Sequence, residues 1–133
     1  MIVAIADTHA LLWYLWNDSR LTASAQQVFE SAAQNGDEIG LSAISLVEVV
    51  SLIEKGRIPA ETLDAVVNLL EQNDSLLQEI PVSRAIVRAM QQVPRREAPD
   101  MPDRVIAAPA MQDQVPLASR DRKIVLSGIS TIW

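Results

Sequence analysis

The chain has 133 residues, about half of them hydrophobic, with no cysteine and a net charge of −6. That length suits a single domain spanning residues 1–133, able to bury roughly two-thirds of its unfolded surface. The lack of cysteine excludes disulfides and thiolate metal sites, and no apolar run approaches the ~20 residues of a membrane-spanning helix. The N-terminal apolar run lacks a basic leader and contains Asp7, so it does not read as a signal peptide. A cytoplasmic protein with no membrane association is the simplest expectation.

In chain order, Met1 to Ala6 is an apolar run of strand length that ends in Asp7. Thr8 to Trp16 follows as a helix apolar on most sides, to be buried or shared with a second subunit. Asn17 to Arg20 breaks the pattern, and Thr22 caps a helix from Ala23 to about Ala33. Asn35-Gly36-Asp37 is a turn, Glu38 to Ser42 a short buried strand, and Ser42 to Lys55 a helix stopped by Gly56. Pro59 to Asn73 carries apolar residues at helical spacing. Leu76 to Pro81 reads as a strand, Ser83 to about Gln92 as a helix, and Pro94 to Pro102 as a loop. Asp103 to Gln112 is predicted helical, Val115 to Ser119 a short strand, Arg120 to Lys123 a charged turn, and Ser130 to Trp133 a last strand. Strands alternating with helices predict an α/β fold, a three-layer α/β/α sandwich around a central parallel sheet with right-handed crossovers.

Charge is uneven along this pattern. Up to Ser83 there are three basic residues against twelve acids; from Arg84 onward there are eight against five. A basic half beside an acidic half either gives one phosphate-attracting face or amounts to scattered, solvated arginines.

Four acids stand out. Asp7 ends the first strand, and in open parallel sheets ligands gather outside the carboxyl ends of the strands; an equally ordinary role for it is to cap the next helix. Glu48 lies in the otherwise apolar helical segment Ile44 to Val50, where an ionised carboxylate is costly unless paired or bound to a cation. Its bland alternatives are an exposed helix edge and a Glu–Arg pair. Asp103 follows the proline-rich loop; with Pro102 in the first helical turn, Asp100 is the better cap and Asp103 is left to face the crevice. Asp121 comes just past a strand end, on the same rim as Asp7, unless it merely pairs with Arg120 or Arg122. Carboxylates converging without thiolates or clustered histidines form a hard, oxygen-only site suited to Mg²⁺ or Mn²⁺. Such ions activate water and support phosphodiester hydrolysis. His9 is the single histidine and is assigned packing or polar contact at the rim, outside the catalytic set.

Asp7-Thr8-His9-Ala10-Leu11-Leu12-Trp13, Ser42-x-x-Ser45-x-x-Glu48-Val49, Asp100-Met101-Pro102-Asp103-Arg104-Val105-Ile106-Ala107-Ala108 and Ser119-Arg120-Asp121-Arg122-Lys123-Ile124 occur in that order. With them the chain resembles the PIN-domain ribonucleases, and is most similar to the VapC-type toxins of bacterial toxin–antitoxin pairs. The resemblance implies Asp7, Glu48, Asp103 and Asp121 as catalytic, metal-binding acids, with Ser119 as the hydroxyl residue that accompanies the fourth. It also implies Mg²⁺- or Mn²⁺-dependent RNA cleavage, a homodimer, and inhibition by a cognate antitoxin. One departure is Pro109, where the family usually carries Thr or another small residue; a proline there is expected to kink the helix presenting Asp103. Two other readings are weighed: a PIN-fold binding module with weakened catalysis, and a receiver-like phosphoacceptor domain. The latter needs an acidic pair after the first strand, where this chain has one acid.

Overall fold

In the computed structural model, which describes residues 1–133 except Arg122, Val125 and Ser127, eleven elements follow one another. They are β1 (Ile2–Ala6), α1 (Thr8–Leu15), α2 (Ala23–Asn35), β2 (Glu38–Ser42), α3 (Ala43–Glu54), α4 (Thr62–Glu71), β3 (Leu77–Ile80), α5 (Arg84–Met90), α6 (Met101–Asp113), β4 (Leu117–Ala118) and β5 (Thr131–Ile132). Arg122, one of the later cations and part of the predicted charged turn, lies outside the described residues.

All five strands pair in parallel, in the order β3-β2-β1-β4-β5. The period-2 alternation of a strand sends neighbouring side chains to opposite faces. In β1, Ala4 and Ala6 therefore join a core with α1 to α4, while Ile5 joins a second core with α5 and α6. These are the three layers expected from the sequence. Gly40 in β2 keeps the second core tight: a Cβ there would lie 2.6 Å from Ile5 Cδ1 and 2.7 Å from Ile80 Cδ1. The order in which strands are added reverses between β1 and β4. β1 leads outward to β2 and β3 on one side, and the chain then crosses the second face to β4 on the other. This is the switch point at which a crevice opens beyond the strand ends.

Local chemistry sets the boundaries. The Thr22 hydroxyl accepts from Ala25 N at 3.2 Å to start α2, and Gly36 at φ +71° ends it. Ser42 closes β2 and caps α3, accepting from Ile44 N at 3.3 Å. α4 begins later than the predicted Pro59, because Thr62 donates from both its hydroxyl (2.7 Å) and its backbone N–H (3.1 Å) to the Pro59 carbonyl, closing a turn first. α6 begins at Met101, two residues before the predicted Asp103, with Pro102 accommodated in the first turn, where its missing N–H costs nothing.

Pro109 is fully buried inside α6, and the helix continues through Asp113. Its missing N–H withholds a bond from the Val105 carbonyl, one turn back. That defect falls after the turn carrying Asp103. Among the described residues no helix is long and apolar enough to cross a membrane.

Candidate metal centre at the carboxyl edge of the sheet

β1 and β4 run in register, Ala6 beside Ala118, and Asp7 N donates to the Ala118 carbonyl at 3.0 Å. This sets Asp7 next to Ser119 at the switch point. Asp7 Oδ1 accepts from Ala10 N at 2.8 Å, so the carboxylate caps α1 and also lines the crevice; the two sequence readings hold together. The Ser119 hydroxyl donates to Asp7 as well, while its oxygen accepts from Asp121 N at 3.1 Å. One buried serine thus ties two acids from adjacent strand ends. Burial raises the Asp7 pKa against the lowering effects of Ser119, Ala10 N and His9, and nearby Glu48 adds to the rise.

Glu48 reaches the crevice from α3. It is half-buried and is neither an exposed edge residue nor one of a Glu–Arg pair among the described residues. Its Oε1 lies 2.6 Å from Thr8 Oγ1, which is also 2.9 Å from Ser45 Oγ. A hydroxyl has one proton and a carboxylate only accepts, so Thr8 donates to Glu48 and Ser45 donates to Thr8. Thr8 and Ser45 are 3% and 0% exposed. Sequence reasoning assigned neither a role, although Ser45 stands one helical turn before Glu48.

Asp103 enters from the first turn of α6, where a negative charge suits the helix dipole. Its pKa is pushed up to about 6, chiefly by burial and then by the charges of Asp121, Asp100, Glu48 and Asp7. Asp100 holds the N-cap position but its side chain makes no capping bond, contrary to the role expected of it. Carboxylate oxygens of Asp100, Asp103 and Asp121 instead lie within 4.8 Å of one another, close enough for one cation. Asp121 forms no ion pair with Arg120; its Oδ1 accepts from Lys123 N at 2.9 Å, which shapes the turn.

Asp7, Glu48, Asp103 and Asp121, the four acids singled out in the sequence, line one cleft of about 670 Å³ together with Asp100, Thr8, His9, Pro102, Ile106, Arg120 and Trp133. Within it, Asp100, Asp103 and Asp121 form the tight group, and Asp7 and Glu48 make the more enclosed wall. His9 lies 5.5 Å ring to ring from Trp13, in the packing role expected at the rim. Arg104, counted among the later cations, donates instead to the Val93 and Met90 carbonyls, both at 3.3 Å, and secures the end of α5.

Comparison with known proteins places the chain in a family. The PIN domain family model matches residues 4–126. Ribonuclease VapC22 of Mycobacterium tuberculosis (strain ATCC 25618 / H37Rv) is 27% identical over 124 residues, covering 93% of this chain and 91% of that protein. Two solved structures share the fold. A crystal structure of VapBC2 from Rickettsia felis bound to a DNA fragment from their promoter has a TM-score of 0.63 at 18% identity, covering 96% of this chain and 98% of that one. A toxin-antitoxin complex from Klebsiella pneumoniae has a TM-score of 0.62 at 23% identity, covering 96% of each chain. The receiver-like alternative is set aside by a family match that runs from β1 past Asp121. The chain belongs to the PIN domain family.

Proposed function

We propose that this chain is a single-domain, divalent-cation-dependent endoribonuclease toxin of the VapC kind, hydrolysing phosphodiester bonds in RNA and held inactive by a cognate antitoxin. The observation that carries this reading is the convergence of five acids from separate parts of the chain on one cleft, with Asp103 pushed up to about 6 by burial and like charges. Five carboxylates in such a setting repel one another unless a cation is shared. The donor set is all oxygen, as Mg²⁺ or Mn²⁺ requires. Asp103, Asp121 and Asp100 would hold the ion from one side, and Asp7 and Glu48 from the other. When bound, such an ion lowers the pKa of a coordinated water and stabilises charge on phosphoryl oxygens.

The chain's own groups do the rest. Ser119 orients Asp7, and the Ser45–Thr8 pair orients Glu48 by a short hydrogen bond. The likeness to Ribonuclease VapC22 supports RNA as the substrate, and the solved toxin–antitoxin assembly supports a protein inhibitor. A homodimer is part of the proposal. It is supported by Val47 (60% exposed) and Val50 (39% exposed), one turn apart on the outer face of α3.

The test is cleavage of transfer, messenger and ribosomal RNA by antitoxin-free protein across a Mg²⁺ and Mn²⁺ titration, with Asp7→Asn alongside. Metal-dependent cleavage by the wild type, absent in the variant and in EDTA, is expected. Equal cleavage by Asp7→Asn, or no cleavage of any RNA, overturns the assignment.

A further inference from the structure

Eight cations follow Ser83, but among the described residues one arginine or lysine, Arg120, lines the acidic cleft. Its environment is unusual. The guanidinium lies 5.0 Å from the centroid of the Trp13 ring, and no carboxylate of the described residues comes within 4.0 Å of it, although five line the same cleft. The same indole carries a second guanidinium, that of Arg20, at 4.7 Å. Arg20 is paired with an acid: Nε and Nη2 donate to Asp18 Oδ1 and Oδ2 at 3.1 and 2.7 Å. Two cations therefore share one aromatic support, one already paired with an anion and the other kept off the neighbouring acids at the mouth of the cleft.

Trp13 is a firm support. It is 3% exposed, belongs to the first core, and is braced by the rings of His9 and Trp133, each at 5.5 Å. Stacking a guanidinium on such a ring limits its rotation while leaving its planar fork of N–H donors available, the geometry that matches phosphate oxygens. An arginine meant only to offset the acids would pair with Asp121, its chain neighbour.

We propose that Arg120, propped on Trp13, is the phosphate-binding group of the cleft, receiving a backbone phosphate of single-stranded RNA beside the acidic centre. This rests on the ribonuclease reading and narrows it, making Arg120 rather than the basic half as a whole the substrate-facing cation. Trp13 is a positioning residue that acts through Arg120.

The experiment is anisotropy with a labelled oligouridylate, with Ca²⁺ supplied in place of Mg²⁺, repeated across salt concentrations for wild type, Arg120→Gln, Arg120→Lys and Arg57→Gln. Arg57 follows α3, nine residues beyond Glu48 and away from the cleft. Each phosphate contact to a single strand contributes about 0.7 to the slope of log affinity against log salt. Arg120→Gln should weaken binding several-fold and lower that slope by about 0.7. Arg120→Lys should keep the slope while binding less tightly, because it retains the charge and loses the fork. Arg57→Gln should match wild type. Wild-type binding with an unchanged slope in Arg120→Gln, or an equal drop in Arg57→Gln, overturns the role of Arg120 and leaves the ribonuclease reading standing. No RNA binding by the wild type overturns that reading, and this proposal with it.

Discussion

The two edges of the sheet are both rich in acids, yet they differ in kind. At the amino edge, Asp37, Glu38, Asp74 and Glu79 line a broad depression of about 800 Å³, larger than the cleft at the carboxyl edge. There Asp37 and Glu38 lie 3.9 and 3.7 Å from the Met1 ammonium, and Asp74 and Glu79 are exposed. Water screens such charges, and exposed pairs contribute little. At the carboxyl edge Asp7 is buried, Asp103 is half-buried, and hydroxyls and backbone N–H groups aim the carboxylates at a shared space. Neither the number of acids nor the size of the hollow separates the edges. What separates them is burial of like charges that the described protein groups do not neutralise.

The largest effect that would sharpen this contrast is loss of cleavage. Asp103→Asn should reduce metal-dependent RNA cleavage to background while leaving the far-ultraviolet circular dichroism unchanged, whereas Asp37→Asn at the other edge should cleave as the wild type does. Loss of activity in Asp37→Asn would erase the distinction. A smaller effect belongs to the hydroxyls. Thr8→Val removes the donor to Glu48 at nearly constant volume and should lower activity about 10- to 100-fold, as for groups that orient metal ligands; Thr8→Ser should restore most of it. A Thr8→Val enzyme as active as the wild type would reduce the Ser45–Thr8–Glu48 chain to packing.

A third effect is pH dependence of the metal-free protein. The folded Asp103 pKa is raised from 3.8 to about 6. A carboxyl raised on folding contributes stability while protonated, below its ordinary pKa, and loses that contribution as pH rises through its folded value. The Tm of wild type relative to Asp103→Asn should therefore fall between about pH 4 and 7, and saturating Mn²⁺ should restore it above about pH 6, where the ligands are deprotonated. A pH-independent difference would remove the repulsion from the description. Smallest of all, Asp37→Asn should change stability by no more than about 0–1 kcal/mol, because its ammonium partner is exposed.

Much of this was legible in the sequence because it depends on periodicity and punctuation. The apolar runs ending at Asp7 and Ser119, the Thr22 cap and the Gly36 and Gly56 stops place the elements close to where they lie. Asp7, Glu48, Asp103 and Asp121 were legible as acids out of keeping with their surroundings. What the sequence did not convey depends on side-chain direction across the fold. That Thr8 meets Glu48, forty residues away, follows from α1 packing on α3. Asp100 read as a cap because its position is a cap, yet its carboxylate turns to Asp103 and Asp121. Arg104 counted as a surface cation until its partners proved to be carbonyls at the end of α5. Pro109 reads as a kink, because an interior proline withholds a backbone bond and crowds the carbonyl one turn back; α6 runs on through it to Asp113, with buried residues on both sides of the proline.

The central claim is that the carboxyl edge, and not the amino edge, holds a divalent cation. Isothermal titration of metal-free protein with Mn²⁺ at pH 7.5 tests it most directly, comparing wild type with Asp103→Asn and with the double variant Asp37→Asn, Glu79→Gln. Wild-type binding retained by the double variant and abolished by Asp103→Asn is the expected result. Undiminished binding by Asp103→Asn, or binding lost only in the amino-edge variant, would contradict it.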